Sequence, residues 1–456
     1  MSANTAPRAI PEQDLTRNTR AGVPARDWLI IGLLLAFFTL NFADKAAIGV
    51  AAPDIEADLG LSASQYGMVS SSFFWLFAVG AVLLTVAVRR ISWRWSAALL
   101  MAAWLVSMAP LTAPTTLGVL LMSRIALGFF EGPAFALCQS IVMDRFAPQR
   151  RAFAGAVVNS GSSLGPLVAT PALTWLIVTW NWHTGFAVLI AAGLLWFAVW
   201  LWATRHEPGA RRLRITGARP SAVADDPNAG IDVPFVSLLR NRSFWGVALL
   251  CSSGYLITSL KVAWLPSFLH QGMGYSQSTV GLLATLPYGL DIVVLLAAGL
   301  VSGRLLKAGF SSRVARSHLT MGLLCVSGLS MIVFSRLPPG GLQLALVVVS
   351  FSINSVAFAI TFAGAADFLP RKHRAGFFGC SSALYSLAGI VAPWALGAVV
   401  DAGTTVADGY DHGFLLTGIA ICVLAVGGGL LLDPARSRET LLAETARRRA
   451  TKGVPR

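Results

Sequence analysis

Charge is scarce in this 456-residue chain: only 12% of its residues are Asp, Glu, Lys or Arg, against about 25% in an average soluble domain. Cysteine is scarcer still. The five cysteines (Cys138, Cys251, Cys325, Cys380 and Cys422) lie inside apolar stretches with no C-x-x-C spacing, which excludes a disulfide framework and a thiolate metal site. The six histidines, at 183, 206, 270, 318, 373 and 412, form no cluster. No H-E-x-x-H, P-loop or paired Ser/His arrangement is present, so neither a metal, a cofactor nor an enzymatic reaction is expected. A sensor is disfavoured by the small size of the polar loops, and a channel by the absence of a ring of like charges.

What is abundant is apolar surface. Hydrophobic residues make up 55% of the chain and the mean hydropathy is +0.67. About 251 apolar residues suffice for roughly twelve spans of ~20 residues each. The runs fall at 28–50, 64–88, 94–112, 115–138, 151–176, 183–203, 244–269, 277–302, 314–335, 341–366, 375–401 and 412–432. The fold class expected is therefore all-α, integral to the membrane, with twelve transmembrane helices. The first 27 residues are polar and carry Arg8, Arg17, Arg20 and Arg26. That is not a cleaved signal, so the first apolar run is read as a retained span.

The net charge of +14 would suggest nucleic acid in a soluble protein, but its placement gives another reason. With twelve spans, 31 of the 35 Lys and Arg residues fall on one side, Arg336 alone on the other, and three inside spans. By the positive-inside rule both termini and the long central loop are cytoplasmic. The expected partners are membrane lipid, protons and a small solute, with no nucleic acid, and a monomer is expected.

The organisation reads as an N-terminal tail (1–27), a six-helix bundle (28–203), a cytoplasmic linker (204–243), a second six-helix bundle (244–433) and a basic, solvated tail (434–456). The two halves repeat. Asp144-Arg-Phe-Ala-Pro148 after span four matches Asp367-Phe-Leu-Pro370 after span ten. Each is followed by a Gly/Ser-rich helix that reaches a proline, Pro166 and Pro171 in one half and Pro393 in the other. The turn at Arg89, Arg90 and Arg94 loosely matches that from Arg304 to Arg313. Parallel repeats of this kind belong to secondary transporters with a midplane site.

Six ionisable residues lie inside spans: Asp44, Lys45, Arg124, Glu131, Lys261 and Asp291. Each costs ~2.5–3.5 kcal/mol at the bilayer centre, so each is a functional candidate. Arg124 and Glu131 are seven apart, on one helix face and about 10.5 Å apart along the axis. They are too distant to pair but suited to lining one cavity. A guanidinium offers a planar fork to a carboxylate, and a desolvated Glu131 is suited to exchanging a proton. Asp44 and Lys45 point about 100° apart. Lys261 and Asp291, on consecutive spans, either pair with each other or supply a second cation for a dianion. Asn159 and Ser162 in span five are candidates to face a substrate, while Gly165 and Pro166 allow close helix packing.

Together these motifs resemble the major facilitator superfamily. The segments Asn41-Phe-Ala-Asp44-Lys45, Ala-Ala-Pro53-Asp-Ile, Tyr66-Gly67, Ser72-Phe-Phe-Trp75, Arg124 through Glu131-Gly-Pro133, and Trp264-Leu-Pro266 resemble its anion:cation symporter family. That family includes importers of sugar acids and aromatic acids and the vesicular glutamate transporters. The resemblance implies proton coupling at Asp44 and Glu131 and anion recognition by Arg124 and by the cation after Asp44, here Lys45 where Arg is usual. It also implies a gating role for the basic turns at Arg90, Arg94 and Arg304. Phe42 and Phe77 stand where sugar-acid transporters tend to have Tyr. Ser162 stands where Gln is frequent, and Ser382 and Ser386 lie where Asn is common. Such a site suits a less hydroxylated acid, aromatic or simple. The expected function is proton-coupled import of a small organic carboxylate across the inner membrane by alternating access. The alternative is an antiporter exporting a drug or metabolite, which the G-x-x-x-G-P pattern of span five also resembles.

Overall fold

The computed structural model describes residues 25–88, 91–146, 148–205, 228 and 230–451. In lipid every backbone N–H and C=O must be paired within the segment, and the described residues answer with helices. Among these residues twelve helices are long and apolar enough to cross a bilayer. In the first half they are Arg26–Val50, Ala63–Leu84, Trp93–Thr112, Leu117–Val142, Ala154–Thr179 and Trp182–Ala203. In the second they are Arg242–Ala263, Gln277–Lys307, Arg313–Phe334, Gly341–Ala366, Lys372–Ala402 and Val406–Leu431.

Small residues set how closely these helices approach. A Cβ on Gly161 or Gly165 of span five would meet the backbone of span one at Leu35, Phe38 and Thr39. The G-x-x-x-G-P stretch is thus the contact surface between spans one and five, as expected for Gly165 and Pro166, both buried. Gly128 of span four presses on the Phe73 carbonyl of span two in the same way.

The hydrogen bonds between described residues of the two bundles lie at the face opposite the basic loops. Asp401 at the end of span eleven caps span two, accepting from Ala63 N at 2.9 Å and Ser64 N at 2.8 Å. The Tyr66 hydroxyl is shared between the carbonyls of Ile48 and Ala263, each at 3.0 Å. Its ring stands edge-on to Trp264 with centroids 5.0 Å apart. Gln277 donates to Asp54 at 2.7 Å and Gln271 to Glu56 at 3.1 Å. Backbones touch at Gly49 against Val262 and Gly67 against Pro393, positions where a Cβ has no room. The bundles are therefore closed on that face.

Glu56 lies in the short helix Ala52–Leu59, outside the spans. Burial raises its carboxyl above the ordinary 4.5, the Gln271 hydrogen bond opposes this, and Asp401 adds to it. A carboxyl raised in the closed state favours closure fully below about 4.5, and that contribution is lost as pH rises through its raised value. Cross-linking of cysteines placed across this face should accordingly weaken with rising pH in the native chain, and Glu56→Gln should flatten the dependence.

One region differs from the sequence-based expectation. The basic tail is a docked helix, Pro434–Thr451, whose Pro434, Ser437, Leu441 and Thr445 form a buried stripe at helical spacing. The end of the linker receives it: Asp232 N donates to Thr445 Oγ1 at 3.0 Å, Ser237 Oγ to Glu444 at 2.7 Å and Arg438 Nε to Asn228 at 3.0 Å. Residues 206–227 of the linker lie outside the described residues.

Candidate functional site

Several spans break at mid-depth: span four at Gly132–Pro133, directly after Glu131, and span ten at 352–355. Broken helices free backbone groups and turn side chains inward, which is how transporter sites are built. The positions match through the internal repeat, because the offset from Asp144 to Asp367 carries Glu131 onto Asn354.

In the first bundle four of the expected charges come together. Lys45 forms an ion pair with Glu131 across spans one and four. Its ammonium also donates to Asn41 Oδ1 at 2.7 Å and Asn41 O at 2.9 Å, one helical turn back, and lies 4.6 Å from the Phe42 ring centre and 5.2 Å from that of Phe73. Arg124 stacks over the same Phe73 at 5.0 Å. It is 2% exposed, and its Nε and Nη1 have no hydrogen-bond partner. Asp44 has Glu131, Lys45 and Arg124 as its charged neighbours, and its Oδ1 is likewise unpartnered, as is Glu131 Oε1. Arg124 and Glu131 share a face without pairing, as their spacing requires. Two cations and two carboxylates gathered in one largely buried cluster make a neutral set that one proton or one anion unbalances.

The second bundle holds Lys261 and Asp291 differently from the proposed ion pair. No direct bridge joins them. Lys261 Nζ donates to Asn354 Oδ1 at 2.6 Å and lies 4.4 Å from the Tyr288 ring centre. Asp291 accepts from Ser355 Oγ at 2.5 Å and Ser355 N at 3.3 Å. The physical reason is the break in span ten, which inserts the consecutive residues Asn354 and Ser355 between the opposite charges. Both charged groups are 3% exposed, and nothing in these contacts joins Lys261 to the Arg124 group. Removing one member leaves the other's charge buried, a cost of about 3–5 kcal/mol. Lys261→Met should therefore cut the yield of monodisperse protein on size exclusion, and the double variant Lys261→Met/Asp291→Asn should restore it.

The remaining candidates divide. Phe42 and Phe77 are half-buried beside the charged set, with Phe77 packed on Phe73 at 5.7 Å. Asn159 is exposed and Ser162 half-buried, the Ser162 hydroxyl donating to Asn159 O at 2.8 Å. Ser382 donates to the Tyr385 hydroxyl at 2.9 Å and Ser386 to Ser382 O at 2.8 Å. Arg94 ties spans three and six through Leu201 O at 3.4 Å, while its own carbonyl accepts from Trp200 Nε1 at 2.9 Å. Arg304 is exposed. Its neighbours in the same turn make the ion pairs: Arg313 with Asp433 and Arg316 with Asp367, each at 3.2 Å. Arg90 lies outside the described residues.

Sequence reasoning passed over Tyr255 and Tyr385. Tyr255 stands on span seven within electrostatic reach of Glu131 and Tyr385, and its ring is 5.0 Å from that of Tyr385 and 5.6 Å from that of Phe74 of span two. A tyrosine in an apolar run carries no charge to mark it.

The sequence model of the Major Facilitator Superfamily matches residues 33–393, and the chain belongs to that family of membrane transporters. Among characterised relatives, the hexuronate transporter of Bacillus subtilis (strain 168) is 27% identical over 393 residues, covering 86% of this chain and 90% of that protein. The D-galactonate transporter of Escherichia coli O6:H1 is 26% identical over 318 residues, 66% of this chain and 74% of that one. Among solved structures, a bacterial homologue of the human lysosomal transporter Spinster, inward-facing and unoccupied, superimposes with a TM-score of 0.75 at 18% identity, over 92% of this chain and 99% of that one. A D-xylose–proton symporter gives 0.72 at 14% identity, over 90% and 98%.

Proposed function

We propose that the protein is a proton-coupled symporter that imports a small organic anion bearing a carboxylate, with both termini in the cytoplasm of a cell whose inner membrane it spans. The observation that carries the reading is the Lys45–Glu131 ion pair set beside a buried Arg124 with two unpartnered nitrogens. Support comes from the sugar-acid relatives, whose substrates share the carboxylate, and from the basic loops on one side of the membrane.

The charges explain the coupling. With no anion bound, Lys45 is neutralised by Glu131, and Arg124 lies in reach of Asp44. A proton reaching Glu131 or Asp44 from the outer side leaves Lys45 and Arg124 with one carboxylate between them. An anion carboxylate then takes the place of the lost negative charge, held by the guanidinium fork. The filled site is again neutral, so the bundles can reorient without dragging a bare charge through apolar surroundings. Inside, loss of the anion and the proton restores the Lys45–Glu131 pair, and the empty carrier returns. Energy comes from the proton gradient.

Purified protein in liposomes with an imposed inward proton gradient tests this. Accumulation of an organic anion, abolished by a protonophore, is the expected result. Efflux of cationic dyes with no anion uptake would replace symport by the antiporter reading.

A further inference from the structure

Aromatic rings continue from the charged set across both bundles. Phe42 and Phe77 flank Lys45 and Phe73 on the first bundle. Phe74 meets Tyr255, Tyr255 meets Phe358 at 6.2 Å, and Phe358 meets Tyr385 at 5.3 Å. Phe73 is buried, while Phe42, Phe74, Phe77, Tyr255, Phe358 and Tyr385 are half-buried. Phe74 packs on Phe73 with ring centres 5.0 Å apart, and Phe73 lies under both Lys45 and Arg124, so this wall adjoins the two cations.

The hydroxyl groups beside it are turned inward on the protein. Ser382 is spent on Tyr385 and Ser386 on the Ser382 carbonyl. Thr258 donates to Gly254 O at 2.9 Å while accepting from Asn354 at 3.0 Å. A polyhydroxylated acid entering here would give up several hydrogen bonds to water and find few replacements, each unpaired hydroxyl costing about tenfold in affinity. A flat ring loses nothing of that kind and gains offset or edge-on contacts with the wall.

We infer that the site takes a carboxylate carried on a flat, apolar or aromatic body, with the carboxylate on Arg124 and the ring against Tyr255, Phe358 and Tyr385. This rests on the organic-anion reading above and narrows it to a substrate class.

The test is competition binding to the full-length protein in detergent, with 4-hydroxybenzoate and phthalate on one side and galacturonate and galactonate on the other. At least one aromatic acid should bind about tenfold or more tightly than either hydroxy acid. Tyr255→Ala should weaken that acid by about tenfold. The double variant Phe42→Tyr/Phe77→Tyr, which adds two hydroxyls and removes nothing, should narrow the gap between the classes. Galacturonate or galactonate binding as tightly as the aromatic acids would overturn the inference and leave the organic-anion reading standing. Aromatic binding indifferent to Tyr255→Ala would also overturn it. Binding by neither class would bring down both readings.

Discussion

Glu131→Gln is expected to abolish uphill transport while sparing exchange. One unit of pH gradient is worth about 1.4 kcal/mol per proton, enough for roughly tenfold accumulation of a monoanion. The Gln variant cannot take up the proton that frees Lys45, so its accumulation ratio should fall to about one. The site should survive the change: Lys45 retains both hydrogen bonds to Asn41 and its place over Phe42, and the Gln amide keeps an acceptor oxygen near it. Anion exchange across the membrane, measured with labelled substrate on one side and unlabelled on the other, should remain within a few-fold of the native protein. A variant that still concentrates substrate against a gradient would remove Glu131 from the coupling.

Arg124→Ala is expected to remove binding. Loss of a buried cation from a charge-assisted contact costs about 2–5 kcal/mol, or roughly thirtyfold to several-thousandfold in dissociation constant. It also takes from Asp44 one of its two cationic neighbours, leaving Lys45. Arg124→Lys separates these effects, because the charge stays while the planar fork is lost. A loss of about tenfold is expected for Lys against near-complete loss for Ala, with thermal unfolding in detergent confirming that both are folded. Equal affinity in native and Ala proteins would show that the anion binds elsewhere.

The membrane architecture was legible because lipid imposes so strong a rule: apolar runs of the right length, separated by loops with basic residues on one side, admit little else. The four charges of the first bundle were legible for the same reason, since an ion inside a span is too costly to be casual. Their partners were less so. The sequence set Arg124 and Glu131 on one face, yet gave no means of choosing which cation Glu131 holds, since that depends on how span one turns against span four. Lys261 and Asp291 were placed at compatible depths, but the break at Asn354 and Ser355 that keeps them apart is a local unwinding with no strong marker. The aromatic wall was invisible in an apolar background, because Tyr255 and Phe358 look the same whether they face lipid, core or substrate. The tail was misjudged by its charge: its described arginines are exposed, while Leu441 and Thr445 of the same helix are buried.

The central claim is that protonation and anion binding exchange partners at Lys45 and Glu131. The most direct measurement is the pH of a weakly buffered suspension of proteoliposomes, with no pH gradient imposed, at the moment a transported anion is added outside. The exchange predicts that the medium turns alkaline as protons enter with the anion, and that Glu131→Gln gives no pH change although labelled anion still crosses. An anion that enters the native protein with the medium unchanged would contradict it.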